Sequence, residues 1–183
     1  MNTSSQTIPE QIRKSDLKME PIPATKRPGQ IYRRILFGTD FSAASIPAFE
    51  QALKLARQNG AELLIAHSNT VPACISFMPP ESYGEWEIQC RKETEKQIGA
   101  LMQEARHEKV KAHMLLLSGL ADNAIVDAAK HLAVDLIVIG THGRRGVSRF
   151  FMGNVAARVV ARARCDVLTV RQNGRTRESA RRR

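Results

Sequence analysis

Five short apolar runs, separated by stretches of helical period, organise the middle of this chain. The runs are Ile35-Leu36-Phe37-Gly38, Glu62 to His67, Ala112 to Leu117, Asp135 to Ile139 and Asp166 to Val170. Asp135-Leu136-Ile137-Val138-Ile139 is continuous and rich in branched residues rather than alternating, as expected for a strand covered on both faces. After the first run, Phe49, Ala52, Leu53 and Ala56 share one helical face, and Asn59-Gly60 marks the stop. Ser42 or Ser45 caps this helix; Pro47 fits Ser45, because its missing N–H then falls among donors that a first turn leaves free. A long loop over residues 69–82 leads to a helix from Tyr83 to His107, with Thr94, Ile98, Leu101, Met102 and Ala105 inward. A third helix, capped by Asp122 after the Ser118-Gly119-Leu120-Ala121 turn, directs Ile125, Ala128, Ala129 and Leu132 inward. In a fourth, Val155, Ala156, Val159, Val160 and Ala163 recur at helical spacing.

Strands alternating with helices imply a parallel sheet wound by right-handed crossovers, a doubly wound α/β sandwich. Ligands bind such sheets beyond the carboxyl ends of the strands, where the winding direction reverses. The residues at those ends are Gly38-Thr39-Asp40, His67-Ser68 and Ile139-Gly140. They converge only if the first and fourth strands are neighbours, which periodicity leaves open. Gly140-Thr141-His142-Gly143, followed after nine residues by Gly153-Asn154, joins the fourth strand to the fourth helix. Such a loop places backbone N–H donors and the positive end of a helix dipole at one spot, a setting for a phosphate.

Composition changes this picture little. The chain has 183 residues, 43% of them apolar, enough for one domain with its own core. No apolar stretch approaches the ~20 residues needed to cross a bilayer, and no secretory apolar core stands at the N-terminus, so a cytoplasmic location is expected. Cys74, Cys90 and Cys165 are widely spaced without a CxxC or Cys/His grouping and read as reduced thiols, with no metal site. Of the net charge of +10, residues 171–183 carry +5 and residues 1–30 carry +2. A nearly balanced middle with basic ends argues against a dedicated nucleic-acid domain. Residues 1–30 and 172–183 lack periodicity and are expected to be disordered extensions of a domain over 31–171.

Several of these segments together resemble the universal stress protein family. Gly140, Gly143 and Gly153 match its spacing of Gly, two residues, Gly, nine residues and Gly, and Ile35 to Ser42 resembles its first strand and aspartate. His67, the Gly119-to-Ile125 turn and Cys165 to Val170 also fit, so the likeness covers roughly residues 31–171. The resemblance implies a Rossmann-like three-layer sandwich, a five-stranded sheet in order 3-2-1-4-5, and a homodimer through Val167 to Val170. It implies an ATP site, with ADP, AMP and a phosphate-bound Mg as variants. Asp40 would bond the ribose or adenine side, with Gly38 and Thr39 nearby, and Ser68 would stand where an apolar side chain usually packs on adenine. Ile139 and Gly140 would flank the nucleoside, while Gly143 and the N–H groups of Gly153, Asn154, Val155 and Ala156 would hold phosphates. Arg144, Arg145 and Arg149 could add charge there.

Two positions depart from the pattern: Asn154 replaces a Ser or Thr, and Ser68 replaces an apolar residue. Neither removes the backbone cradle. The expected function is a nucleotide-binding, dimeric stress regulator acting on a protein partner, without catalytic residues, slow ATP hydrolysis being left open. The rival is a nucleotide-free dimeric scaffold working through the loop near Cys74 to Tyr83. An adenylating or pyrophosphatase enzyme is disfavoured because Gly38-Thr39-Asp40-Phe41-Ser42 lacks a Ser-Gly-Gly loop, and no Walker A lysine motif is present. The arginine tail from Arg171 to Arg183 lacks interleaved aromatics, so stacking on nucleic-acid bases is unsupported.

Overall fold

The computed structural model describes residues 29–69, 79–141 and 153–171. Its elements are β1 (Arg34–Gly38), α1 (Ile46–Asn59), β2 (Glu62–Asn69), α2 (Pro80–His107), β3 (Ala112–Ser118), α3 (Ala121–His131), β4 (Leu136–Gly140), α4 (Asn154–Arg162) and β5 (Asp166–Val170). The five strands form one parallel sheet in the order β3-β2-β1-β4-β5. Leu36 of the central strand lies level with Leu64 on one side and Ile137 on the other.

The continuous apolar strands are explained by two cores. Side chains alternate across a strand, so Ile35 and Phe37 face α1 and α2, whereas Leu36 faces α3 and α4. β4 divides likewise, Leu136 and Val138 joining the first core and Ile137 and Ile139 the second. The expected inward residues Phe49, Ala52, Leu53 and Ala56 of α1 are buried, as are Ile125, Ala128, Ala129 and Leu132 around α3. On α4 only Ala156 and Val159 are buried; Val155 and Val160 are exposed, because a nine-residue helix on a sheet edge rests on a narrow stripe.

Several boundaries move. β2 runs two residues past His67, and α2 begins at Pro80 rather than Tyr83 because proline suits a first helical turn. Ser45 occupies the N-cap position of α1, yet its hydroxyl donates to the Ser42 carbonyl at 2.8 Å instead of capping the helix. Asp122 is not a cap. It lies inside the first turn of α3, with Leu120 at the N-cap, and is buried at 4% exposure against Arg158 and Arg162 of α4. A carboxylate near a helix N-terminus is favourable, but here it also ties two helices together.

Helices α1, α2 and α3 end in the same way. The N–H groups of Ala61, Val110 and Val134 reach back to the carbonyls of Ala56, Ala105 and Ala129, each at 2.9 Å. The residue before each is left-handed: Gly60 at φ 59°, Lys109 at 58° and Ala133 at 48°. This is the Schellman closure, which ordinarily recruits glycine because a Cβ is strained there. Lys109→Gly and Ala133→Gly are each expected to stabilise the fold by about 0.5–1 kcal/mol, read as higher urea midpoints at unchanged m.

At the amino ends of the strands the sheet is closed by charge. Glu62 accepts from Arg34 at 2.8 and 3.1 Å and pairs with Lys111 at 2.8 Å. Asp135 accepts from the backbone N–H groups of Arg33 and Arg34 at 2.7 and 3.1 Å, joining the starts of β1 and β4. Burial would raise both carboxyls, but these hydrogen bonds outweigh it and hold them below their ordinary range. Burial also pushes the His113 imidazole down, opposed by Glu62 and reinforced by Lys111 and Arg34. Protonation therefore favours unfolding at all three groups. Stability should fall gently as pH drops below about 6.5, where unfolded histidine binds its proton, and steeply below about 4. Urea midpoints across pH test this: His113→Gln should flatten the first phase and Asp135→Asn the second.

Candidate functional site

Because β1 and β4 are adjacent, their carboxyl ends open side by side at the point where the chain winds in opposite directions. The residues expected there are brought together at that end of the sheet. Gly38 is the last residue of β1, paired with Ala66 and Ile139. Its missing Cβ serves packing: a methyl there would stand 3.0 Å from Ile125 Cδ1 of α3 and 3.8 Å from Ile139 Cδ1. Ile139 is itself buried in the α3-side core, so only its backbone is available to a ligand.

The turn after β1 is built from its own side chains. The Thr39 N–H continues the ladder to the Ala66 carbonyl at 2.9 Å, while its hydroxyl accepts the Phe41 N–H at 2.9 Å and donates to Ser45 Oγ at 3.2 Å. Asp40 Oδ1 accepts the Ser42 N–H at 3.0 Å, which fixes the half-buried carboxylate by an Asx turn. Phe41 takes a left-handed φ of 59° and lays its ring against His67, centroids 4.5 Å apart. His67 Nδ1 stands 2.8 Å from the Thr39 carbonyl; a carbonyl only accepts, so Nδ1 carries the proton. β2 thereby braces the aspartate turn. Ser68 does something different from its neighbour: its hydroxyl donates to the Gly119 carbonyl at 2.8 Å, tying β2 to the β3–α3 turn.

On the other wall, Gly140 pairs with Val170 and the buried Thr141 donates its N–H to the Val170 carbonyl at 2.9 Å. The Thr141 carbonyl in turn accepts the N–H of Gly153 at 2.5 Å. This alters the expected phosphate cradle. The Gly153 N–H is engaged in pinning the two ends of the loop together, and Gly153 has an ordinary φ of −57° at the N-cap of α4. Among the described residues no side chain caps that helix. The first-turn N–H groups of Asn154, Val155 and Ala156 therefore have no intrahelical partner and carry the positive end of the dipole. Ala156 is buried in the core and can offer only its backbone. His142, Gly143, Arg144, Arg145 and Arg149 lie outside the described residues, as do residues 70–78 with Cys74.

Thr141, Phe41 and Ser45 shape the site without having been singled out by periodicity; only polar residues immediately after a strand could have pointed to Thr141. Among the described residues no group of three His, Cys, Asp or Glu could hold a metal, and no helix is long and apolar enough to cross a membrane.

The model of the universal stress protein family matches residues 31–171. The chain belongs to this family. It is 32% identical over 145 residues to universal stress protein MJ0531 of Methanocaldococcus jannaschii, covering 78% of this chain and 84% of that one. Among solved structures it resembles universal stress protein UspA from Lactobacillus plantarum, with 26% identity, a TM-score of 0.65 and coverage of 76% and 98%. A universal stress protein solved in complex with cAMP is 25% identical, with a TM-score of 0.52 and coverage of 77% and 98%. The Rossmann-like sandwich and strand order of this universal stress protein are thus those of its solved relatives.

Proposed function

We propose that this universal stress protein binds an adenine nucleotide, ATP included, in the crevice between β1 and β4, and that occupancy regulates its contact with a protein partner. The observation that carries this reading is that an Asx-fixed carboxylate at Asp40 and a first turn at Asn154, Val155 and Ala156, which no described side chain caps, follow the carboxyl ends of the adjacent strands β1 and β4. A carboxylate accepts from ribose hydroxyls, and a bare helix N-terminus holds phosphate. The relative solved with cAMP supports the ligand class. Ile139 and Gly140 flank the nucleoside through their backbones, with Gly38 and Thr39 shaping the turn and Gly143 and Arg144 completing the phosphate side. Any Mg would enter on the phosphates. The chain acts as a homodimer through β5, an edge strand whose Val167 to Val170 are only half-buried. It acts in the cytoplasm, as a binding protein rather than an enzyme.

One observation favours the nucleotide-free scaffold: the Gly153 N–H, one of the expected phosphate donors, is engaged by Thr141. The nucleotide content of purified native protein, measured by acid release and chromatography, separates the two readings. Stoichiometric adenylate, lost in a folded Gly140→Ala/Gly143→Ala variant, is expected. Native protein that stays empty even with added ATP would favour the scaffold.

A further inference from the structure

At the opposite end of the sheet from the proposed nucleotide crevice, the C-terminal half of α3, Arg162 at the end of α4 and the turns into β4 and β5 line an open cleft of about 400 Å³. That volume lies in the range of small-ligand sites, roughly 300–1,000 Å³. Its floor is apolar, with Val126, Ala129 and Val134 packed on the core and the half-buried Cys165 beside them. Its rim carries Lys130 from α3, Arg164 from the turn into β5, and one carboxylate, Asp127.

Two observations leave these cations available to a ligand. Glu62, Asp135, Asp122 and Glu108 neutralise Arg34, Arg33, Arg162 and Arg57, respectively. Lys130 and Arg164 have no side-chain hydrogen bond or ion pair among the described residues. Nor are they needed to satisfy the end of α3, because the Ala129 and Lys130 carbonyls already accept the N–H groups of Val134 and Ala133. Arg162 also lines the cleft but is committed to Asp122 and Asn123, so it fixes the wall rather than offering charge.

We propose that this cleft is a second ligand site, taking a small organic anion with an apolar body: the body lies on Val126 and Val134, and a carboxylate or phosphate group meets Arg164 and Lys130. Arg164 offers a planar fork to either anion, and Lys130 adds a compact charge. Asp127 favours a ligand that also carries a hydrogen-bond donor. Burial, with Asp166 nearby, holds the Cys165 thiol above its ordinary range, so Cys165 forms part of the wall and acts as a reporter.

The test uses full-length protein at constant ionic strength, titrated separately with benzoate, phenyl phosphate and neutral benzyl alcohol. Backbone amide shifts of Ala133 and Val134 report binding in the native chain. The rate of N-ethylmaleimide modification of Cys165 reports it independently in a Cys74→Ser/Cys90→Ser background. Saturable shifts and slowed modification with either anion, absent with the alcohol, are expected; which anion saturates at lower concentration identifies the headgroup. Lys130→Gln/Arg164→Gln, two exposed positions, should raise the apparent Kd at least about tenfold, or 1.4 kcal/mol. No saturation with either anion up to about 10 mM overturns the proposal, as does equal binding of the alcohol or an unchanged Kd in the double variant.

Discussion

Asp40→Ala is expected to weaken ATP and AMP binding by at least tenfold, and up to a hundredfold, while leaving the fold intact. A hydrogen bond to a charged group contributes about 1.5–3 kcal/mol, and each 1.4 kcal/mol is a factor of ten in affinity. Asp40 is half-buried at the mouth of β1 and belongs to neither core, so its removal costs binding more than packing. One of its partners is the Ser42 N–H, which Asp40→Asn would keep through the amide oxygen. Asp40→Asn should therefore preserve the turn and still lose affinity, separating the carboxylate's charge from its structural part. Calorimetric titration of both variants with ATP and AMP is the measurement. An unchanged Kd in folded Asp40→Ala would remove this carboxylate from the proposed nucleotide site.

Arg34→Ala is expected to cost the most stability of any single charge deletion in the described fold. Arg34 begins the central strand at only 5% exposure, donates to Glu62 through Nε and Nη2, and reaches the Leu132 carbonyl through Nη1 at 2.7 Å. Deleting one partner of a buried pair leaves the other charge uncompensated, a loss of about 3–5 kcal/mol. Lys111 still faces Glu62, which places the expected loss near 3 kcal/mol, roughly 10 °C in Tm for a domain of this size. Arg34→Lys should recover only part of it, because an ammonium cannot serve Glu62 and Leu132 together with the arginine fork's geometry. Thermal unfolding of the wild type, Arg34→Ala, Arg34→Lys and Glu62→Gln checks the ranking. A loss under 1 kcal/mol for Arg34→Ala would show that the pair only offsets its own desolvation.

What could be read along the chain was whatever has a period. Every apolar position expected inward on α1 and α3 is buried, because burial on one side of a helix demands recurrence every three or four positions, although the small residues Ala48 and Ala124 at the starts of those faces were missed. The Val155 and Val160 positions of α4 obey the same period and are nevertheless exposed, since a short helix at a sheet edge has less to cover it. Special backbone conformations were legible only where glycine announces them. Gly60 did so; Lys109, Ala133 and Phe41 adopt the same left-handed region with no such signal, held there by the bonds around them.

The candidate site divides along the same line. Asp40 and the Asn154-to-Ala156 turn were placed at the right ends of the right elements by sequence, because strand and helix ends are local events. That the strand ends leading to them lie side by side depends on β1 and β4 being neighbours, a contact about a hundred residues apart along the chain that no local pattern encodes. The order of elements, the two-sided burial of the strands and the chemistry at their ends are local properties and follow from the residues in succession. Long-range packing alone makes Gly38 leave room for Ile125, ties Ser68 to Gly119, sets Asp122 between two helices rather than at a cap, and holds the Gly153 N–H on Thr141. The reason is physical: a polar group or a missing Cβ has several admissible partners in sequence, and packing leaves only one within reach.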